Sequence, residues 1–222
     1  MSASISVGDY KTLIFDCDGV ILDSNEVKTR AFYEAALPYG ESAAAALVAH
    51  HTANGGVSRY KKFAHFLEVI VPELACHAAG PGLEQLLASY AAEVWQGLLT
   101  CDVAPGLHAL REANLAARWL IVSGGDQTEL RKVFAARGLA ELLDGGIFGS
   151  PDTKDEILQR EAQAAAVTLP ALFIGDSKYD YQAALTAGLD FVFMTGWSEV
   201  ENHQAWCAEY GITACVDIES LV

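Results

Sequence analysis

An apolar run that stops abruptly on paired acids and a glycine is the feature that most constrains this chain. Residues 11–25 read K-T-L-I-F-D-C-D-G-V-I-L-D-S-N, with Leu13, Ile14 and Phe15 forming the run. A short uninterrupted run suits a strand buried on both faces of a parallel sheet. Asp16 and Asp18 then emerge at its carboxyl end, where open α/β sheets place their ligands. Residues at i and i+2 of an extended chain point to one side. The two carboxylates therefore repel unless a cation or a shared proton lies between them. Hard oxygen ligands of this kind suit Mg²⁺. A plain acidic turn fits the same letters, since Asp and Gly favour turns, so the rest of the chain must decide.

At 222 residues the chain can bury a real core, as one large domain or two unequal ones. Its 29 acidic residues against 14 basic ones give a formal net charge of −15. That balance argues against binding nucleic acid or an anionic membrane, both of which need clustered Lys and Arg. A small anionic substrate remains compatible, because a few local cations and a metal suffice. The five cysteines, Cys17, Cys76, Cys101, Cys207 and Cys215, show no CxxC and no zinc spacing. Scattered cysteines in a chain of this size read as reduced thiols in a cytoplasm. Residues 1–10 lack the basic and apolar regions of a signal peptide, and no apolar run is long enough to span a bilayer. The expectation is a cytoplasmic α/β protein.

Strands are expected at Leu13–Phe15, 119–122, 147–148, 172–174, 191–194 and, at an edge, 214–216, with helices between them. Residues 24–100 differ in character. They read as helices over 30–37, 42–50, 58–71 and 83–99, broken by Asn54-Gly55-Gly56 and Gly80-Pro81-Gly82, with no alternating β-branched run. Further helices are expected over 107–117, 127–137, 154–166 and 179–187. Strands alternating with helices give a doubly wound parallel sheet. The expected domains are an α/β core of residues 1–23 and 101–222 with an all-helical cap of residues 24–100.

Three more strand ends carry chemistry. Ser123-Gly124-Gly125 offers a hydroxyl and free backbone N–H groups before a helix, a natural phosphate cradle. It would equally serve as a routine N-capping loop. Lys154 opens a helix, where a cation opposes the helix dipole, so either it is a solvated loop lysine or it reaches anionic groups. Asp176 and Asp180 follow the strand at 172–174, and as helix residues at i and i+4 they would share one face. Any one of these has an ordinary explanation; four in order at four sheet ends does not.

Asp16-Cys17-Asp18-Gly19-Val20, Ser123, Lys154 and Gly175-Asp176-Ser177-x-x-Asp180 together resemble the four motifs of haloacid-dehalogenase-superfamily hydrolases. The helical insertion is similar to the small cap of phosphoglycolate-phosphatase-like members. The resemblance implies a Rossmann-like fold and a Mg²⁺-dependent phosphatase acting on a small phosphorylated metabolite, a sugar or organic-acid phosphate. It implies that Asp16 attacks phosphorus to form an aspartyl-phosphate and that Asp18 serves as general acid and base. Mg²⁺ would be held by Asp16, Asp18 through its backbone carbonyl, and Asp176. Ser123, the Gly124 amide and Lys154 would bind phosphate, with Asp180 orienting Lys154 or metal-bound water. Asp18 argues for phosphoryl transfer, since the dehalogenase branch lacks it.

A β-phosphoglucomutase-like phosphomutase would share every core residue, and a non-catalytic binding domain is the remaining alternative. Phosphonate cleavage is not expected, because no cap lysine stands out as buried. Within the cap, Arg59 is the chosen contact for a second anionic group, with Lys61 and Lys62 on what reads equally well as a solvated basic face. His50-His51 reads as a surface pair, and Tyr60, Phe63 and Phe66 as packing inside the cap. Cys17, flanked by acids that raise its pKa, is not expected to be a nucleophile. Residues 23–25 and 100–101 are the expected hinges. Substrate identity and oligomeric state are not read from the sequence.

Overall fold

The computed structural model describes residues 6–74 and 80–221; Cys76 and residues 1–5 of the amino-terminal stretch lie outside them. Six parallel strands, β1 (Thr12–Phe15), β2 (Arg118–Asp126), β3 (Gly146–Ser150), β4 (Ala171–Gly175), β5 (Asp190–Met194) and β6 (Thr213–Cys215), form one sheet in the order β3-β2-β1-β4-β5-β6. From β1 the chain steps outward through β2 to β3, then returns to place β4 against the other side of β1. That reversal puts the topological switch point at the carboxyl end of β1, where a ligand crevice opens in such sheets.

The strand residues sort themselves onto two faces by alternation. Leu13, Phe15, Trp119, Ile121, Leu172 and Ile174 join the larger cluster, while Ile14, Leu120, Val122 and Phe173 join the smaller one. Helices α6 (Leu107–Ala113) and α7 (Gln127–Ala136) supply Leu107, Leu110, Leu130 and Phe134 to the first face. On the second lie α8 (Lys154–Gln163) and α9 (Lys178–Thr186), with Ile157, Leu158, Ala183 and Ala184. The sheet is doubly wound, as its runs require: strands apolar on both faces must be covered on both.

Between β1 and α6 lie α1 (Asn25–Ala36), α2 (Glu41–Ala53), α3 (Arg59–His65), α4 (Val71–Glu73) and α5 (Leu83–Thr100), the inserted helical cap. Phe32, Phe63, Phe66 and Tyr90 meet in its interior, with the Phe32 ring 4.4 Å from Tyr90 and 5.1 Å from Phe63. The two connectors to the core are hydrogen-bonded to each other: Asp23 N donates to Asp102 O at 3.0 Å and Ala104 N to Ile21 O at 2.9 Å. These pairings lie beside the residues expected as hinges, 23–25 and 100–101.

Several boundaries differ from expectation. Helix α1 begins at Asn25, because Asn25 and Lys28 are held by core residues at its start. The helix expected over 58–71 is three segments, with a π-helical stretch at Phe66–Ile70 between α3 and α4. Helix α6 ends at Ala113, and α10 (His203–Tyr210), which packs Trp206 against Phe193 and Tyr181, has a pattern too mixed to stand out. Cys17, Cys101, Cys207 and Cys215 are free thiols.

Gly97 of α5 crosses Val27 of α1 so closely that a Cβ there would collide with the valine methyls. Gly97→Val should therefore overpack this crossing and lower unfolding stability by about 1–3 kcal/mol, read by chemical denaturation.

Candidate active site

The site is built on a turn. After β1, Ile21 N and Leu22 N both donate to Cys17 O at 2.9 Å, and Gly19 N donates to Leu22 O at 2.9 Å. Gly19 has φ +71°, and a Cβ there would collide with the Asp176 carboxylate. Only glycine allows the turn and the second acid to lie this close. Asp16, 2 % exposed, accepts from Cys17 N at 2.7 Å through Oδ1 and from Lys154 Nζ at 2.8 Å through Oδ2.

Lys154 is the first residue of α8, whose start is capped by Thr153 in a capping box with Glu156. Its ammonium does not reach solvent. It is 1 % exposed and bridges Asp16 and Asp180. Two adjacent carboxylates offset both its burial and the unfavourable helix dipole. Burial alone would lower the Lys154 pKa, but Asp16 and Asp180 outweigh it and hold the amine charged.

Asp176 and Asp180 do not share a helix face as expected. Asp176 ends the loop after β4, Ser177 is the N-cap of α9, and Asp180 is the third helical residue, reaching back to Ser177. Asp180 Oδ2 accepts from Ser177 Oγ at 2.6 Å and Ser177 N at 3.1 Å, while its Oδ1 holds Lys154. Both of its oxygens are thereby engaged. Asp176 Oδ2 accepts only from Asn25 Nδ2, at 2.9 Å.

Oxygens of Asp16, Asp176 and Asp180 all lie within 4.8 Å of one another and are buried. Three carboxylates share one ammonium, which leaves an excess of negative charge in low dielectric. Burial, opposed by Lys154 and reinforced by Asp180 and Asp18, pushes the Asp16 carboxyl up to about 7. Burial and the Asp16 charge push Asp176 well above the carboxylate range. A divalent cation with oxygen preference satisfies this arrangement.

Asp18 faces differently. Its Oδ2 is ion-paired with Lys28 of α1, and its Oδ1 accepts from Ser24 Oγ at 2.5 Å. Burial would raise its carboxyl, but Lys28 and Ser24 outweigh that and hold it below the usual range. Its side chain lies outside the three-carboxylate cluster. Cys17 is buried, and burial followed by Asp18 pushes its thiol well up, as expected of a non-nucleophile.

Ser123 is fully buried, and its Oγ accepts from Gly125 N at 3.1 Å. The extended chain runs past it to Asp126, beyond the expected strand end at 122, with the register against β3 broken between Val122 and Asp126, and α7 starts at Gln127 as expected. Asp126 is the N-cap of α7, accepting from Glu129 N at 2.8 Å. A Cβ on Gly124 would collide with the carbonyl of Gly56, so the cap loop lies directly over this strand end.

The cap residues are the main surprise. Arg59 lines the cavity, but its guanidinium is held by Glu129 of α7 through both outer nitrogens. Tyr60 is not packed inside the cap; its hydroxyl donates to Asp126 Oδ2 at 2.8 Å. Phe63 and Phe66 are inside, as expected. His51 is not on the surface but 7 % exposed, accepting from Lys62 Nζ at 2.6 Å. Lys62, 2 % exposed, is the buried cap lysine that the sequence did not single out. His50 instead stacks on His65 at 4.0 Å. The inner cavity between cap and core is small, about 60 Å³, and shares Thr52 and Glu199 with a wider cleft of about 650 Å³ that Tyr179 also lines.

Sequence reasoning thus missed Asn25, Lys28, His51, Lys62 and Glu129. Asn25 and Lys28 had a legible signal, being three apart on one helix face just after the acidic turn. The other three are joined only by tertiary contact.

A family model described as haloacid dehalogenase-like hydrolase matches residues 10–188. No curated protein sequence matches the chain. Among solved structures, CbbY from Rhodobacter sphaeroides, crystallised in complex with phosphate, aligns over 96 % of each chain with TM-score 0.70 and 16 % identity. A protein from Clostridium acetobutylicum described as a predicted phosphatase gives 0.70 and 16 % identity, covering 92 % of this chain and 93 % of that one. A haloacid dehalogenase-like family protein from Streptococcus pneumoniae gives 0.60 and 18 % identity, covering 93 % of each. At these identities the likeness is one of fold. No helix among the described residues is long and apolar enough to cross a membrane.

Lys28→Met should leave the Asp18 carboxylate buried without its cation, at a cost of roughly 3–5 kcal/mol at neutral pH. The sign with pH follows from Asp18. In the wild type its depressed pKa contributes stability that is lost as pH falls through it. Without Lys28 burial raises that pKa, so the deficit of the variant should narrow on acidification. Denaturant titrations at neutral and acidic pH test this.

Proposed function

The chain belongs to the haloacid dehalogenase-like hydrolase family, and from that premise we propose that it is a Mg²⁺-dependent phosphatase for a small phosphomonoester, working through an aspartyl-phosphate on Asp16. The observation that carries this reading is the buried cluster of Asp16, Asp176 and Asp180 around a single ammonium. Asp176 has an oxygen to spare and each Asp16 oxygen, contacted once, keeps a lone pair, so these two with the Asp18 backbone carbonyl would hold Mg²⁺. Asp180, spent on Ser177 and Lys154, orients the lysine. When bound, Mg²⁺ supplies charge that lets an anionic nucleophile approach an anionic phosphate.

In the first half-reaction an Asp16 oxygen forms a bond to phosphorus, and the P–O bond to the leaving alkoxide breaks. The alkoxide takes a proton from Asp18. In the second, water attacks the phosphorus of the acyl phosphate, gives a proton to Asp18, and returns Asp16 and inorganic phosphate. The Lys28 contact keeps Asp18 ionised, which suits the second half. For the first half the arriving dianion favours protonation of Asp18 by like-charge repulsion. Ser123, the Gly124 amide and Lys154 hold the phosphoryl oxygens. The cap loop at Gly55-Gly56, lying over Gly124, keeps bulk water from the reacting centre.

Phosphate release from a panel of sugar and organic-acid phosphates tests the reading. Turnover should require Mg²⁺, stop with EDTA, and fall by on the order of 10³-fold or more in Asp16→Asn, the scale on which losing a nucleophile acts. Bisphosphate-primed isomerisation without phosphate release would replace the phosphatase by a phosphomutase, and no turnover of any phosphomonoester would sink both.

A further inference from the structure

Three cations line the inner cavity, and two of them are already neutralised. Lys28 is paired with Asp18 and Arg59 with Glu129. Lys62 has no carboxylate partner among the described residues. Its only polar contact among the described residues is His51 Nδ1, at 2.6 Å. An ammonium carries three donors, so two remain for whatever enters the cavity. A buried, unpaired ammonium is costly, and a protein that needed only packing would place an apolar side chain there.

The lysine is also held in place. Because Lys62 donates to Nδ1, the proton of His51 resides on Nε2, which faces Thr29 Oγ1 at 3.1 Å. Thr29 Oγ1 in turn donates to Glu199 Oε1 at 2.9 Å. One directional chain thus runs from α3 through α2 and α1 to a carboxylate of the core. The Phe32 ring lies 4.5 Å from the His51 ring and 5.5 Å from Lys62 Nζ, closing the apolar side.

We infer that Lys62, positioned by His51 and Thr29, receives a second anionic group on the leaving-group side of the substrate, a carboxylate or a further phosphate. This rests on the phosphatase reading and names its substrate class: a phosphomonoester carrying a second negative charge. A neutral sugar phosphate would leave the two free donors of Lys62 unpaired. The inner cavity of about 60 Å³ holds the Lys62 end of the site, and the wider cleft of about 650 Å³ that shares Thr52, Gly55 and Glu199 with it leaves room beyond.

The titration behaviour agrees. Burial, then Lys62 and Lys28, bring the His51 imidazole down to about 2, so it stays a neutral acceptor. Burial and the neighbouring Lys28 bring Lys62 down to about 7, so an arriving anion would raise it and hold the amine charged.

The test compares probes that differ only in the second charge: phospholactate against isopropyl phosphate, and ethylene glycol bisphosphate against ethyl phosphate. For wild type, kcat/KM should favour the charged member of at least one pair by roughly 10–100-fold, the worth of a charge-assisted hydrogen bond. The favoured pair tells carboxylate from phosphate. Lys62→Met, which replaces a buried amine with an apolar chain and should fold, should bring that ratio close to one. Lys61→Met, at the exposed neighbour, should keep it. A wild-type ratio near one in both pairs, or an unchanged ratio in Lys62→Met, overturns the assignment while turnover upholds the phosphatase. Calorimetric titration of the same probes without Mg²⁺ covers the converse case. Binding that prefers the charged probe and is lost in Lys62→Met, without turnover by wild type, supports the receptor and overturns the phosphatase. Equal binding of both members overturns the receptor.

Discussion

The buried ammonium of Lys154, set between Asp16 and Asp180, is the interaction on which the site depends. It joins the carboxyl end of β1 to the starts of α8 and α9 across the topological switch point. A lysine at a helix start is unfavourable, and a lysine at 1 % exposure more so. Both costs are offset only because two acids arrive from other elements. The same geometry creates an imbalance, since a third acid, Asp176, enters the cluster through the space that Gly19 leaves open. One cation for three carboxylates favours taking up more positive charge, and the proposed metal-assisted chemistry rests on that imbalance.

The cap shares the larger apolar cluster with the core and is fastened further by polar contacts around the site. Arg59 meets Glu129, Tyr60 meets Asp126, Thr29 meets Glu199, and Lys28 meets Asp18. Two of these contacts, Lys28–Asp18 and Arg59–Glu129, are largely buried charge pairs. The Tyr60 and Lys28 contacts also end at functional positions: Asp126 caps the helix that follows the Ser123 strand end, and Asp18 is the proposed proton carrier.

Much of this was legible in advance. The apolar runs at Leu13–Phe15 and 119–122 gave strands in the right places because a strand covered on both faces needs little beyond apolar length. The acids, Ser123 and Lys154 stood at successive strand ends, and the parallel sheet gathers such ends at one edge. The cap was harder. A helical stretch shows which residues share a face, but not which face meets the core. Arg59 and Lys62 lie three apart on α3, yet Arg59 is consumed by Glu129 while Lys62 is left with His51. Histidines at 50 and 51 point apart, one stacked on His65 and the other buried.

By itself, then, the sequence determined the doubly wound sheet, the helical insertion and the identity of the core acids, because these follow from local pattern and from chain order along a parallel sheet. Tertiary structure alone decided which charges neutralise one another. Pairing depends on distances of 2–3 Å between side chains far apart in the chain, as with Lys154 and Asp16 at 2.8 Å, and no periodicity encodes them. That Lys62 meets no acid among the described residues is visible only once the other two cations of the cavity, Lys28 and Arg59, have found theirs.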